Sequence, residues 1–88
     1  MKASFHATIR DAAGVPWVEL EAGTVRELLD KLRQKFGQAF YDIIVQGGGL
    51  REDVVILKNG RNIAHFKGLD TELAEGDDVA IFPPVSGG

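Results

Sequence analysis

The sequence contains no cysteine, which excludes disulfides, a thiolate nucleophile and cysteine-ligated zinc. Basic residues are a minority, with 10 lysines and arginines against 13 aspartates and glutamates and a net charge of −3. That balance argues against a protein that binds the phosphates of nucleic acid. The chain has no apolar run of transmembrane length and no apolar signal core at its start. We therefore expect a cytoplasmic protein with neither nucleic acid nor membrane as a partner.

The composition is that of one small globular domain, since 44% of the 88 residues are hydrophobic and 26% are charged. No metal site is predicted, because His6 and His65 have no third ligand at a recognisable spacing. The three consecutive glycines, residues 47–49, are not followed by Gly-Lys-Ser/Thr and are interpreted as a connector rather than a phosphate loop.

Two alternating segments open the chain. Residues 3–9 place apolar side chains at every second position, which predicts a first strand, and residues 10–14 supply a turn. Residues 16–21 alternate again, with Val18 and Leu20 predicted to face inward. Together they predict a β-hairpin.

A helix is predicted next, because the apolar period changes from two to about 3.6. Thr24 is a good N-cap, and Glu27 three residues later completes a capping box. Gly37 stands where a C-terminal left-handed glycine is expected. One apolar stripe runs along the helix and consists of Val25, Leu28, Leu29, Leu32 and Phe36.

The second half is predicted to be mostly strand. Residues 38–53 fit either a strand or a helical turn, whereas residues 54–57 form a buried-strand pattern. Asn59-Gly60 predicts a tight hairpin turn into a short strand over residues 61–63. Residues 79–82 predict the last strand, with Val79 and Ile81 on one face and Ala80 and Phe82 on the other. One helix covers one face of such a sheet, so the fold class is α+β.

The chain ends in a slim segment, Pro83-Pro84-Val85-Ser86-Gly87-Gly88. Proline favours an extended course, and glycine lacks the Cβ that blocks passage through a narrow channel. We therefore predict a β-sheet domain over residues 1–83 and an extended, flexible tail over residues 84–88. The alternative is a frayed and inert terminus.

The last thirty residues carry a family resemblance. The stretches Asn59-Gly60-Arg61-Asn62-Ile63, Gly68-Leu69-Asp70-Thr71 and Phe82-Pro83-Pro84-Val85-Ser86-Gly87-Gly88 resemble the MoaD family, the small sulfur carriers of molybdopterin synthase. The resemblance implies a ubiquitin-like β-grasp fold, with a mixed sheet of about five strands and one main helix on one face. The extra residues 47–51 are similar to the longer, archaeal-type members.

The resemblance also implies a function. Gly88 is adenylated by a ubiquitin-activating-like adenylyltransferase of the MoeB type, which uses ATP, and is then converted to a thiocarboxylate. The tail enters the large synthase subunit, of the MoaE type, and donates sulfur to the pterin precursor for molybdenum or tungsten cofactor. On this hypothesis the chain is not an enzyme by itself, and it binds no cofactor.

The site residues follow from the resemblance. Gly88 and Gly87 form the reacting end, and the predicted partner contacts are Phe82, Pro83, Pro84, Val85, Ser86, Ile63, His6 and Arg10. Phe82 is the expected aromatic anchor, whereas His6 stands on the outward face of the first strand either as a polar contact or as a solvent-facing histidine. Arg10, at the end of that strand, is either an ion-pair partner or an isolated surface arginine.

Two other functions remain open. One is a small protein modifier joined to lysines of target proteins through Gly88, and the other is a sulfur carrier for tRNA thiolation. Both begin with the same adenylate. A scaffold with an inert tail is the fourth alternative, and it predicts that removal of residues 85–88 leaves function unchanged.

Overall fold

The structure is a computed structural model that describes residues 1–83. The predicted tail, residues 84–88, lies outside the described residues, so the division into domain and tail stays a prediction. The elements in chain order are β1 (Lys2–Phe5), α1 (Ala7–Ala13), β2 (Trp17–Glu19), α2 (Val25–Phe36), α3 (Gln38–Ile44), β3 (Val45–Gln46), β4 (Gly49–Leu50), β5 (Val55–Lys58), β6 (Arg61–Asn62) and β7 (Asp78–Phe82), with short 3₁₀ turns at Ile63–His65 and Gly68–Asp70.

Five of the strands form one mixed sheet in the order β2-β1-β7-β5-β6. The first and last strands, β1 and β7, lie side by side at its centre and run parallel, whereas the other neighbours are antiparallel. Strands β3 and β4 pair separately as a small hairpin. The predicted α+β class and the mixed sheet of about five strands are confirmed.

The first strand is shorter than predicted. Strand β1 ends at Phe5, and the chain turns at Ala7, whose φ is +52°, into the helix α1. Residues 7–13 fit a helical period as well as an alternating one, since Ile9 and Ala13 are four residues apart on one side. Gly14 ends the helix in the left-handed conformation, and its N–H donates to the Arg10 carbonyl. The prediction of a strand to residue 9 and a turn over residues 10–14 was therefore wrong.

Helix α2 is the predicted main helix. The Thr24 Oγ1 accepts a hydrogen bond from the Glu27 N–H at 3.2 Å, and the Glu27 carboxylate accepts one from the Gly23 N–H at 3.3 Å. The apolar stripe is buried at Val25, Leu28, Leu29 and Leu32. Gly37 ends the helix with φ +99° and ψ 173°, a positive φ but not the left-handed helical conformation predicted.

Residues 38–53, for which the sequence fitted either a strand or a helical turn, contain both a helix and two short strands. Helix α3 buries Phe40 and Ile44, and β3 and β4 follow as a hairpin. Gly47 and Gly48 have φ of +62° and +81°, which fits the two central residues of a tight hairpin turn. The triple glycine is thus a connector, as interpreted from the sequence.

The predicted Asn-Gly turn is confirmed, with Asn59 at φ +50° and Gly60 at φ +84° between β5 and β6. The returning strand stops at Asn62, whose side-chain oxygen accepts a hydrogen bond from the Ala64 N–H and caps a 3₁₀ turn. Ile63 begins that turn and is 1% exposed, so it belongs to the core. The prediction that Ile63 contacts a partner from the exposed apolar patch is corrected by this burial.

The core lies between the sheet and the three helices. Phe5 of β1 packs edge-on against Phe36 and Phe40, with ring centroids 5.6 and 5.5 Å apart. Ile9 of α1 is fully buried in the same cluster. None of the helices described within residues 1–83 has the length and apolarity to span a bilayer.

Candidate docking face at the end of the last strand

Strand β7 directs alternate side chains to opposite faces of the sheet. Val79 and Ile81 are 1% and 0% exposed and enter the core, whereas Ala80 and Phe82 are half-buried on the other face. This alternation was predicted from the sequence and is confirmed. The strand therefore anchors the sheet through one face and presents Phe82, just before the tail, on the other.

We call the sheet face opposite α2 the outer face. The buried residues of all three helices belong to the core on the inner face, so within residues 1–83 no helix covers the outer one. The strand pairing places on the outer face Lys2, Ser4, His6, Trp17, Glu19, Val55, Leu57, Asp78, Ala80 and Phe82.

An aromatic pair stands at the tail end of the outer face. The rings of His6 and Phe82 stack with their centroids 4.2 Å apart and their planes 10° from parallel. The Ser4 Oγ lies 3.4 Å from the His6 Nε2 and 3.5 Å from the Val79 carbonyl oxygen. The prediction placed His6 and Phe82 on the same face, and the structure brings them into direct contact.

Small side chains occupy the centre of the outer face. Ser4 and Ala80 are paired neighbours, and the same row continues to Trp17 on one side and Leu57 on the other. The short side chains in the middle of this row project less far from the sheet than the large side chains at its two ends. Trp17 is 47% exposed and Val55, beside Phe82, is 37% exposed. This face offers apolar area of the kind that marks protein interaction sites.

The other end of the outer face is charged. Lys2 pairs across the strands with Glu19 on one side and Asp78 on the other. Its ammonium also lies 4.9 Å from the centre of the Trp17 ring, within the range of a cation–π interaction. The outer face is thus aromatic near the tail and polar at the opposite end.

The carboxylate of Asp77 fixes the start of β7. It accepts hydrogen bonds from the Ala74 N–H at 2.8 Å and from the Asn59 side-chain amide at 2.9 Å. The pKa of Asp77 is lowered from its ordinary value of 3.8, mainly by the hydrogen bond from the Ala74 N–H and next by the one from the Asn59 amide. The charge of Lys58 lowers it further. Burial acts in the opposite direction but is outweighed. Asp77 therefore has a structural task rather than a catalytic one.

The predicted contact residues fall into three groups. Phe82, His6 and Pro83 lie together at the tail end of the sheet, and their contact with a partner stays a prediction. Arg10 is exposed, but it lies in α1 and not at the end of the first strand as predicted, because β1 ends before it. Pro84, Val85, Ser86, Gly87 and Gly88 lie outside the described residues.

Three outer-face residues were not among the predicted contacts, namely Trp17, Val55 and Leu57. Residues 54–57 were interpreted as fully buried, but only Val54 and Ile56 are. The parity of the neighbouring strand was the available signal, since Val55 pairs with Phe82 and Leu57 with Ala80. Trp17 precedes Val18, which was itself predicted to face inward, so alternation already placed the tryptophan outside.

The described residues contain no group of three histidine, aspartate or glutamate side chains arranged to hold a metal ion. His65 ends the 3₁₀ turn Ile63–His65 and is exposed, far along the chain from His6.

Comparison with known proteins identifies the family. The profile of the ThiS family matches residues 4–88, which is nearly the whole chain. The chain belongs to the ThiS family. A "Putative sulfur carrier protein" of Archaeoglobus fulgidus is 38% identical to this ThiS-family chain over 71 residues, covering 81% of each protein.

Solved structures agree with this ThiS-family fold. The small archaeal modifier protein 1 of Methanosarcina acetivorans is 38% identical with a TM-score of 0.85, covering 99% of this chain and 94% of that one. A structure from Pyrococcus furiosus named "Putative molybdopterin converting factor, subunit 1" is 36% identical with a TM-score of 0.69, covering 96% and 95%. The ubiquitin-like β-grasp fold and membership in a family of ubiquitin-like sulfur carriers and small modifiers are thereby confirmed.

Proposed function

We propose that this chain is the sulfur-donating small subunit of a molybdopterin synthase. Its Gly88 carboxylate is activated by a MoeB-type adenylyltransferase, becomes a thiocarboxylate, and supplies sulfur to the pterin precursor of molybdenum or tungsten cofactor. The observation that carries the proposal is the course of β7, which leads from the core to Phe82 and Pro83 at a sheet face that no helix covers within residues 1–83. In the sequence, the chain then continues to Gly87-Gly88.

The chemistry explains why a partner enzyme and ATP are needed. A carboxylate resists attack because oxide is a very poor leaving group. ATP converts the Gly88 carboxylate into an acyl-adenylate and releases pyrophosphate. Sulfide then attacks the carbonyl carbon, AMP departs with the bonding electrons, and a terminal thiocarboxylate remains. A chain without cysteine is suited to this route, since its sulfur travels on the main-chain end.

The outer face serves as the docking surface for the large, MoaE-type subunit in this proposal. Aromatic residues with an apolar surrounding are the usual anchors of such interfaces. Phe82 and Trp17 are the aromatic residues on this face, and Val55 adds exposed apolar area next to Phe82. In this proposal His6 and Pro83 complete the contact at the tail end, and the exposed Arg10 on α1 pairs with an acidic group of the partner.

Two comparisons support a sulfur-transfer role. The Archaeoglobus relative is named as a sulfur carrier, and the Pyrococcus structure is named as a molybdopterin converting factor subunit. The motif from Phe82 to Gly88 supports the same role through its resemblance to the MoaD family.

A second candidate is a protein modifier, which the similarity to the Methanosarcina modifier protein favours. The adenylate is shared, but the attacking group is then a lysine amine of a target protein. The product is an isopeptide bond between Gly88 and that lysine, with release of AMP. Sulfur transfer and conjugation are compatible in one molecule because they diverge only after activation.

Mass spectrometry of the intact chain tests the first step. Incubation with a MoeB-type adenylyltransferase, ATP and sulfide is expected to replace one oxygen of the chain by sulfur, and deletion of Gly88 is expected to abolish the change. A terminus that never gains sulfur contradicts the proposal.

The acceptor is tested next. The thiocarboxylated chain is mixed with a MoaE-type subunit and the cyclic pterin monophosphate, and formation of the dithiolene product is expected. Tryptic digests of cell protein are searched in parallel for lysines that carry the branch Gly68 to Gly88, because Lys67 is the last lysine or arginine of the chain. Branched lysines without any pterin product favour the modifier over the synthase subunit.

A further inference from the structure

The stacked pair of His6 and Phe82 is produced by the central parallel strands. Strand β1 pairs with β7 so that Ser4 lies opposite Ala80 and Phe5 opposite Ile81. His6 follows Phe5 and Phe82 follows Ile81, and both side chains point to the outer face. Their rings therefore meet at the end of β7.

The backbone of His6 is fixed by its neighbours on both sides. His6 remains extended, with φ −130° and ψ 146°, while Ala7 immediately after it has φ +52°. The left-handed region is unfavourable for alanine because its Cβ crowds the backbone, so the chain is strained where it leaves β1. The His6 carbonyl also receives the N–H groups of Ile9 and Arg10 at 3.2 and 3.4 Å, which ties the residue to the first turn of α1.

The imidazole in turn restricts Phe82. A half-buried phenylalanine at the end of a strand has several side-chain rotamers available unless a neighbour removes them. Here one ring face is covered by His6, and Val55 of β5 is the strand neighbour on the other side. Pro83 restricts Phe82 to extended backbone, and its own φ is fixed by its ring. The ring of Phe82 is thus held between neighbours at the last residue of β7.

We propose that His6 is a positioning residue, which holds the Phe82 ring in one orientation so that this ring is pre-organised as an anchor for the activating enzyme. The proposal rests on the proposed function, because it assumes that Gly88 is the group delivered. In this proposal His6 acts only through Phe82. Its effect is to pre-organise the chain as a substrate, which lowers the ordering cost of binding.

The test uses the full chain as the substrate of a MoeB-type adenylyltransferase, with pyrophosphate release as the assay. Ordering one side chain costs about 0.5–1.5 kcal/mol, so His6→Ala is expected to raise the KM for the chain about 2- to 10-fold with little change in kcat. His6→Phe keeps a flat ring over Phe82 and is expected to restore the KM. His65→Ala, at the chain's other histidine, is the matched control and is expected to behave as wild type.

A double-mutant cycle separates positioning from direct contact with the enzyme. If His6 acts through Phe82, then adding His6→Ala to Phe82→Leu changes the KM no further, because the stack is already lost. Additive effects show that His6 contacts the enzyme itself, and they overturn the proposal. Proton NMR supplies a readout without enzyme, since the Phe82 ring shifts the His6 ring signals upfield and Phe82→Leu removes that shift.

The remaining outcomes are distinct. If the wild-type chain is never adenylated, the proposed function fails and this proposal fails with it. If the wild type is adenylated and His6→Ala has the wild-type KM, only the positioning role fails. Unshifted His6 signals in the wild type also overturn it, because the stack is then absent in solution.

Discussion

Val79 and Ile81 on the inner face of the last strand are 1% and 0% exposed, whereas Ala80 and Phe82 on the outer face are half-buried. The inner pair packs into one continuous core with the helices. The outer pair stands in a sheet surface that no helix covers within residues 1–83. Neighbouring residues of one strand therefore differ in setting, and in our proposal the inner pair stabilises the fold while the outer pair binds a partner.

This separation follows from the geometry of a strand. Successive side chains point to opposite faces, so a strand that must both hold a fold and offer a surface needs no extra element. The arrangement also predicts that substitutions at adjacent residues of β7 have different kinds of effect. Inner-face changes are expected to unfold the protein, and outer-face changes are expected to weaken binding while the fold persists.

The largest expected effect comes from Ile81→Ala. Removing a fully buried isoleucine side chain leaves a cavity and is expected to destabilise the protein by about 3 kcal/mol, within the usual range of about 2–5. The matched change one residue later, Phe82→Ala, removes a half-buried ring and is expected to cost about 1 kcal/mol. Urea unfolding measures both. Similar losses in the two variants contradict the division of tasks between the faces.

A smaller effect is expected from Asp77→Ala, which loosens the start of β7 without touching the outer face. The loss of two hydrogen bonds to a carboxylate that is 14% exposed is expected to cost about 1–2 kcal/mol at pH 7. Docking, measured at a temperature where both proteins are folded, is expected to be unchanged. A weaker affinity for the partner shows that the two faces are coupled through β7.

The pH dependence of that loss has a definite sign. The folded state lowers the pKa of Asp77, so its contribution is complete above the ordinary value of 3.8 and disappears as the pH falls through the lower, folded value. The difference in unfolding free energy between wild type and Asp77→Ala is therefore expected to narrow below about pH 4. If the wild type and Asp77→Ala differ in unfolding free energy by the same amount at pH 7 and below pH 4, then the charge on Asp77 contributes nothing to stability.

Local signals in the sequence were sufficient for much of the fold. The cap at Thr24 and Glu27, the Asn59-Gly60 turn and the alternation of residues 79–82 each depend on neighbours in the chain, and each is confirmed. The outward position of Phe82 was predicted in the same way. These features need no knowledge of distant contacts.

Other features depend on distant contacts or on a single unusual torsion. Residues 7–13 satisfy two periods, and the left-handed Ala7 that selects the helix has no signature in the sequence. An isoleucine at position 63 fits an exposed apolar patch as well as the core, and only the 3₁₀ turn capped by Asn62 directs it inward. The stack of His6 on Phe82 requires the parallel register of the first and last strands, which lie at opposite ends of the chain.

Ala7→Gly is expected to have a smaller effect, and a stabilising one. Glycine adopts φ +52° without the penalty of a Cβ, but it also raises the entropy of the unfolded chain. Because Ala7 is exposed and no packing is lost, the net gain is expected to be about 0.5–1 kcal/mol in urea unfolding. Ala12→Gly, within the same helix, is the matched control and is expected to destabilise by about 0.5–1 kcal/mol. A loss of stability in Ala7→Gly contradicts the assignment of strain beside the outer face.

The smallest perturbation uses the only tryptophan of the chain. Trp17 lies on the outer face and is 47% exposed, so its fluorescence reports directly on that face. Binding of a MoaE-type subunit that itself lacks tryptophan is expected to shift the emission to shorter wavelength and to reduce quenching by acrylamide, because the partner excludes water from the indole.

The matched reporter is Trp17→Phe combined with Gln34→Trp, which moves the probe to the exposed side of α2. Its fluorescence is expected to stay unchanged on binding. Because both substitutions are at exposed positions, stability is expected to remain within about 0.5 kcal/mol of wild type. A response from position 34 with none from position 17 places the partner on the helices, and the outer face then loses its role in recognition.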